Sequence, residues 1–267
     1  MYSTQTILLA FALTLFAGLS TGIGSAISLF AKRTSKKFLS ISLGFSAGVM
    51  IYVSMIEIFV KAQHSLTAAF GSKNGMLFTI LAFFGGMAVI ALIDKLIPED
   101  QNPHHCFGDD CPTQDGHSHL MRTGTFTALA VAIHNFPEGL ATFISALEDP
   151  AVAIPVVVAI AIHNIPEGIA VSMPIYYATG DKKKAFLYSF LSGLSEPIGA
   201  LIGFVVLLPF MNDAVYGILF AAVAGIMVFI SFDELLPAAE EYGEHHLSIY
   251  GLIGGMMVMA ISLWMFL

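Results

Sequence analysis

Residues 130–143 read AVAIHNFPEGLATF, and twenty-nine positions later residues 159–172 read AIAIHNIPEGIAVS. Each copy sets a histidine, an asparagine, a proline and a glutamate inside a run that otherwise looks like lipid-spanning helix. A charged side chain at mid-membrane costs at least ~2.5 kcal/mol, and proline removes a backbone donor from the helix. A chain that repeats this combination at one fixed spacing is using it for chemistry.

The surroundings are those of a membrane protein. Hydrophobic residues make up 57% and charged residues 11% of the 267 positions, with a mean hydropathy of +0.81. Soluble domains carry about 25% charge, so the expectation is an all-α, polytopic protein forming one transmembrane domain over 1–267. A span needs ~20 mainly apolar residues. Eight segments qualify: 6–31, 39–60, 75–97, 123–147, 152–177, 185–210, 215–236 and 247–267. The first is long and has no basic residue ahead of it, so it reads as a span rather than a cleaved signal peptide.

Lys32, Arg33, Lys36, Lys37, Lys95, Arg122, Lys182, Lys183 and Lys184 flank one set of loops, against Lys61 and Lys73 on the other, nine of the eleven basic residues. Basic loops stay in the cytoplasm, which puts both termini outside. The net charge of −8 has little bearing on this, because acidic residues contribute weakly to orientation. No basic nucleic-acid surface and no glycine-rich phosphate loop occurs.

Between spans three and four, about 98–122, the chain is polar and carries His104, His105, His117 and His119 with Cys106 and Cys111. Cytoplasmic thiols stay reduced, so neither a disulfide nor a redox pair is indicated. The composition suits weak metal binding and equally a solvated linker.

Within the first motif copy, His134 and Glu138 are four residues apart and share a helix face, while Asn135 and Glu138 share an adjacent one. Glu138 therefore belongs to two pairs and can bridge two cations. His163, Asn164 and Glu167 repeat the arrangement. Pro137 and Pro166 should kink their helices and release the carbonyls of Ile133 and Ile162, tolerable in a membrane only beside a cavity or an ion. Like segments of opposite direction, interrupted at matching positions, point to a transporter binding site.

Depth agrees. At 1.5 Å rise per residue, His134, His163 and Glu196 (in SGLSEPIGA) each lie ~17–18 Å from one end of their spans. All three fall near the middle of a ~30 Å core. No lysine or arginine lies at that depth to neutralise Glu138, Glu167 and Glu196, so a divalent metal is the simplest counter-charge. Imidazole, amide and carboxylate without thiolate favour Zn2+, Fe2+, Mn2+, Co2+ or Cd2+ over Cu(I).

HNFPEG and HNIPEG in consecutive helices, GLSEPIGA, the eight-span layout and the histidine-bearing loop together resemble the ZIP (Zrt/Irt-like) metal transporters, in their bacterial ZupT-type branch. The resemblance covers essentially the whole chain. It implies a 3+2+3 inverted-repeat arrangement of helices, uptake into the cytoplasm, and often a dimer. It also implies a binuclear centre between spans four, five and six. One ion would use His134, Glu138, His163 and Glu167; the other Asn135, Glu138, Asn164, Glu167 and Glu196.

Other polar positions are weaker candidates. Glu57 either draws cations in or sits at the headgroups. Asp94, Asp233 and Glu234 suit either an exit path or hydrated helix ends, and His245 and His246 a weak inner site. Met55 and Met173 read as packing, and Gly22, Gly24, Gly44 and Gly48 as points of close helix contact. The functional expectation is a secondary transporter of Zn2+ together with Fe2+ and similar ions, not an enzyme and without a catalytic cofactor. The alternative is an intramembrane zinc-dependent hydrolase, although no HExxH motif is present. A membrane metal sensor is a third option.

Overall fold

The computed structural model describes residues 3–30, 36–96, 116–148, 150–207, 210, 212–241 and 245–265. His104, His105, Cys106 and Cys111 lie outside the described residues, as do the side chains of Asp94, His117, His119, His163 and His245.

Every regular element among the described residues is helical. In chain order they are α1 (Thr4–Phe30), α2 (Lys36–Val53), α3 (Phe59–Phe70), α4 (Ser72–Leu96), α5 (Gly116–Glu148) and α6 (Pro150–Thr179). Then follow α7 (Lys182–Gly193), α8 (Ser195–Ile202), α9 (Asp213–Ile230), α10 (Leu236–Glu241) and α11 (His245–Met265). Six stretches among the described residues are long and apolar enough to cross a membrane: Thr4–Ile27, Lys37–Phe70, Ser72–Ile93, Lys182–Val206, Asp213–Glu240 and His246–Met265. They coincide with the first three and last three expected spans. Between them, α5 and α6 carry the two motif copies.

Two boundaries move. The second span, expected to stop at residue 60, continues as α3 to Phe70, because Ala62 and Leu66 bury one side of an otherwise polar stretch. Gly71 then ends it with φ of 78°, a left-handed conformation suited to glycine. At the other boundary, α5 begins at Gly116 rather than near residue 123, with Leu120 buried. Through Pro137 and Pro166, α5 and α6 continue as single helices.

Among the described residues three π-helical turns, Ser54–Ile58, Gly203–Leu207 and Ser231–Leu235, have no counterpart in the sequence reading. One extra residue in a single turn rotates the following face without interrupting the apolar run, so hydropathy does not reveal it.

Backbone-to-backbone seams hold the bundle. A methyl group on Gly139 would collide with the carbonyl of Glu196, and one on Gly199 with that of Phe136, joining α5 to α8. Gly24 stands likewise against Ile165 and Gly168 against Thr21, joining α1 to α6. Gly44 and Gly48 meet Ser248 and Leu252 across α2 and α11; Gly86 and Gly225 meet Ala222 and Phe83 across α4 and α9. In a lipid environment such close approach supplies the dispersion contacts that water exclusion cannot. Gly22 departs from its expectation, since its neighbour Phe190 is at ordinary contact distance, 3.5 Å.

The bundle is turned outward as a membrane protein is. Little of α4 and α11 is buried, and Phe84 and Trp264 are exposed. The buried core runs through α2, α5, α6 and α9 and includes Met173, while Met55 is exposed. Neither methionine stands among the polar groups of the centre described next.

Candidate metal centre

The α5–α8 seam decides where the polar residues meet. Gly139 follows Glu138 directly, and its contact is the backbone of Glu196. The glycine that ends the first motif thus sets the third carboxylate beside the helix carrying the first. Gly168 performs the same task for the second copy, laying Glu167 and its helix on α1 at Thr21.

His134, Asn135, Asn164, Glu167 and Glu196 are all buried, none more than 1% exposed, and Glu138 is half-buried. His134 Nε2 stands 2.9 Å from Glu167 Oε1, linking the motif copies across α5 and α6. Asn164 Nδ2 donates to Glu196 Oε2 at 2.8 Å and to the Ala17 carbonyl at 2.9 Å, tying α6 to α8 and α1. His134 and Glu167 belong to one of the two ligand sets the resemblance implies; Asn164 and Glu196 belong to the other.

Some groupings are not formed. Among the described residues no three His, Cys, Asp or Glu side chains gather into one cluster suited to a metal. The His163 side chain lies outside the described set. What is present is a group of buried oxygens and nitrogens lacking hydrogen-bond partners: both side-chain atoms of Asn135, Asn164 Oδ1, Glu167 Oε2 and Glu196 Oε1. A buried polar atom left unsatisfied costs ~1–3 kcal/mol, and more when charged. Hard oxygen donors of this kind, with a nearby imidazole, are the donor set of a borderline divalent cation.

The weaker candidates separate. Glu57 lies in the first π-turn and pairs with Lys61 at 2.6 Å. With the two side chains 23% and 45% exposed, that pair is of surface type. Asp233 and Glu234 share the third π-turn, where Glu234 is buried. His246 stacks on Tyr250, with ring centroids 6.2 Å apart.

Sequence reasoning missed three contributors. The Ala17 carbonyl anchors Asn164, Ser46 Oγ donates to the Pro166 carbonyl at 2.6 Å, and Thr21 sits against the second motif glycine. All three act through a backbone carbonyl, which no residue type advertises.

A family model described as ZIP Zinc transporter matches residues 94–263, more than half of the chain and including all seven candidate ligands. This chain belongs to the ZIP family. Among similar curated proteins, the ZIP chain is 65% identical over 268 residues to the zinc transporter ZupT of Streptococcus mutans, covering 99% of this chain and 100% of the relative. The zinc transporter ZupT of Clostridium perfringens is 62% identical over 278 residues, 98% of each chain. That of Corynebacterium aurimucosum is 55% identical over 265 residues, again 98% of each. The ZIP family, so described, is one of transporters and not of enzymes, and the hydrolase alternative finds no support in it.

Proposed function

We propose that this ZIP protein is a secondary transporter that carries Zn2+, and with it Fe2+ and the similar ions Mn2+, Co2+ and Cd2+, into the cytoplasm. The observation that carries the reading is a pair of buried ties: His134 to Glu167 joins the two motif copies, and Asn164 to Glu196 joins the second copy to the third carboxylate. The relatives compared above are named as zinc transporters over nearly their whole lengths.

In this reading α5 and α6, 33 and 30 residues long, are the fourth and fifth of eight spans. The flanking threes form an inverted repeat, with kinks at Pro137 and Pro166 opening with the transport cycle. Sequence matches support that arrangement. AGLSTGIG at 17–24 matches SGLSEPIG at 192–199, AGVMIYVSMIEI at 47–58 matches AGIMVFISFDEL at 224–235, and GGMAVIAL at 85–92 matches GGMMVMAI at 254–261. Each match pairs spans of opposite direction, the pattern of transporters whose site lies at the midplane.

The centre is binuclear. One ion is held by His134, Glu138, His163 and Glu167, the other by Asn135, Glu138, Asn164, Glu167 and Glu196. An ion arriving from outside takes over the carboxylates that His134 and Asn164 hold, so its positive charge replaces hydrogen bonds in a region where three bare carboxylates are untenable. Mixed nitrogen and oxygen ligation keeps binding weak enough for release inward. The protein sits in the bacterial cytoplasmic membrane with both termini outside, as a homodimer.

Metal uptake into proteoliposomes by the wild type and by Glu167→Ala tests the assignment. Uptake abolished in the variant is expected; equal uptake by both would sink the site.

A further inference from the structure

The frame around the metal centre is built twice, and one of its two halves is incomplete in an informative way. Asn135 and Asn164 are equivalent in the two motif copies, and Thr21 and Glu196 are equivalent in AGLSTGIG and SGLSEPIG. The contacts repeat in step. Gly139 meets the backbone of Glu196, and Gly168 that of Thr21; Gly199 meets Phe136, and Gly24 meets Ile165. Gly18 and Gly193, also equivalent, stand against each other's carbonyls. Ser20 Oγ donates to the Ala17 carbonyl at 2.5 Å, and Ser195 Oγ to the Ser192 carbonyl at 2.6 Å.

Under this correspondence the hydrogen bond from Asn164 to Glu196 has one counterpart, a bond from Asn135 to Thr21. Both residues are fully buried, and α1 packs on α5. Among the described residues, neither the Thr21 hydroxyl nor either polar side-chain atom of Asn135 has a hydrogen-bond partner. Thr21 shares this with Thr123, Thr127, Thr142 and Ser262, but other buried helical hydroxyls do otherwise. Thr14, Ser25, Ser54, Thr79, Ser172 and Ser231 each bond the carbonyl four residues back, as buried helical hydroxyls often do. For Thr21 that carbonyl is Ala17, which already accepts from Ser20 and from Asn164. The second motif copy thus occupies the acceptor and leaves the Thr21 hydroxyl for another partner.

We propose that Thr21 is a positioning residue of the metal centre. Its hydroxyl oxygen accepts the Asn135 side-chain N–H when metal is bound and turns Asn135 Oδ1 onto the ion, as Glu196 does for Asn164. Because threonine is neutral where Glu196 is charged, the α1 side of that ion's site carries one negative charge fewer than the α8 side. The inference rests on the binuclear centre proposed above.

Calorimetric titration of Zn2+ into the purified full-length protein tests it, with folding checked by elution profile and by melting temperature without zinc. Thr21→Val, which keeps the shape and removes the hydroxyl, should bind Zn2+ about tenfold more weakly, the order seen when a ligand's orienting partner is removed. Thr21→Ser should bind within about twofold of the wild type, the hydroxyl being retained. In an Asn135→Ala background Thr21→Val should have no further effect, since coupled residues are not additive. Thr21→Ala is the companion variant, judged by the same outcomes should the valine not fold. Wild-type affinity in the hydroxyl-free variants, or their full effect persisting without the Asn135 amide, would overturn the proposal. A wild-type protein that binds no zinc would instead overturn the metal centre itself.

Discussion

His134 Nε2 stands 2.9 Å from Glu167 Oε1, with the histidine 1% and the glutamate 0% exposed. The contact joins the histidine of one motif copy to the glutamate of the other, across the α5–α6 seam. It makes the two helices one site rather than two.

Breaking that pair should therefore affect both copies. His134→Ala and Glu167→Gln should each lower zinc uptake in proteoliposomes at least about tenfold, in line with removal of a ligand or its partner. The double variant should be scarcely worse than either single one, because residues sharing one site are not additive. Uptake rates of the three variants, normalised to reconstituted protein, check this.

Asn164 serves structure and site together. Asn164→Ala removes donors to Glu196 Oε2 and to the Ala17 carbonyl; the carbonyl keeps Ser20, while the buried Glu196 oxygen is left unsatisfied at a cost of ~1–3 kcal/mol or more. A lower melting temperature in detergent and weaker zinc binding are both expected. An unchanged melting temperature would show that the amide is not holding α6 to α1 and α8.

Glycine contacts give a paired prediction. Gly139→Ala drives a methyl group into the Glu196 carbonyl and should destabilise by ~1–3 kcal/mol or more, as overpacking does. Uptake should fall as well, because α5 and α8 are pushed apart at the centre. Gly22→Ala, facing only Phe190 at 3.5 Å, should be neutral or slightly stabilising, since alanine is the better helix former by ~1 kcal/mol. Thermal stability and uptake of the two variants, measured side by side, distinguish close contact from mere glycine content.

The Glu57–Lys61 pair should matter little. With the lysine side chain 45% exposed, exposed ion pairs of this kind contribute ~0–1 kcal/mol. Lys61→Met should leave stability within that range and zinc uptake within about twofold of wild type. A larger loss of uptake would show that the charge at this position acts on the ion.

Much of the membrane character was legible because it is additive along the chain. Apolar run length located eight expected spans, six of which coincide with helices among the described residues that are long and apolar enough to cross a membrane, and the helical spacing of His134, Asn135 and Glu138 follows from 3.6 residues per turn. Three things were not legible. The π-turn holding Asp233 and Glu234 adds one residue without changing hydropathy. The extension of the second span to Phe70 depends on Ala62 and Leu66 finding a partner surface. The repeat joining Thr21 to Glu196 is short and differs at the very position that matters, so it stands out only once Gly18 and Gly193 are seen against each other.

By itself the sequence determined that this is a helical membrane protein whose costliest residues recur in two copies, because transfer energies and helical periodicity are local properties. Which of those residues meet was decided by tertiary structure alone. Glycines at 139, 168, 24 and 199 let backbones touch, and that contact distance sets His134 beside Glu167 and Asn164 between Glu196 and Ala17. A hydrogen bond between helices depends on their separation to within a few tenths of an ångström, and no spacing along one chain encodes that distance.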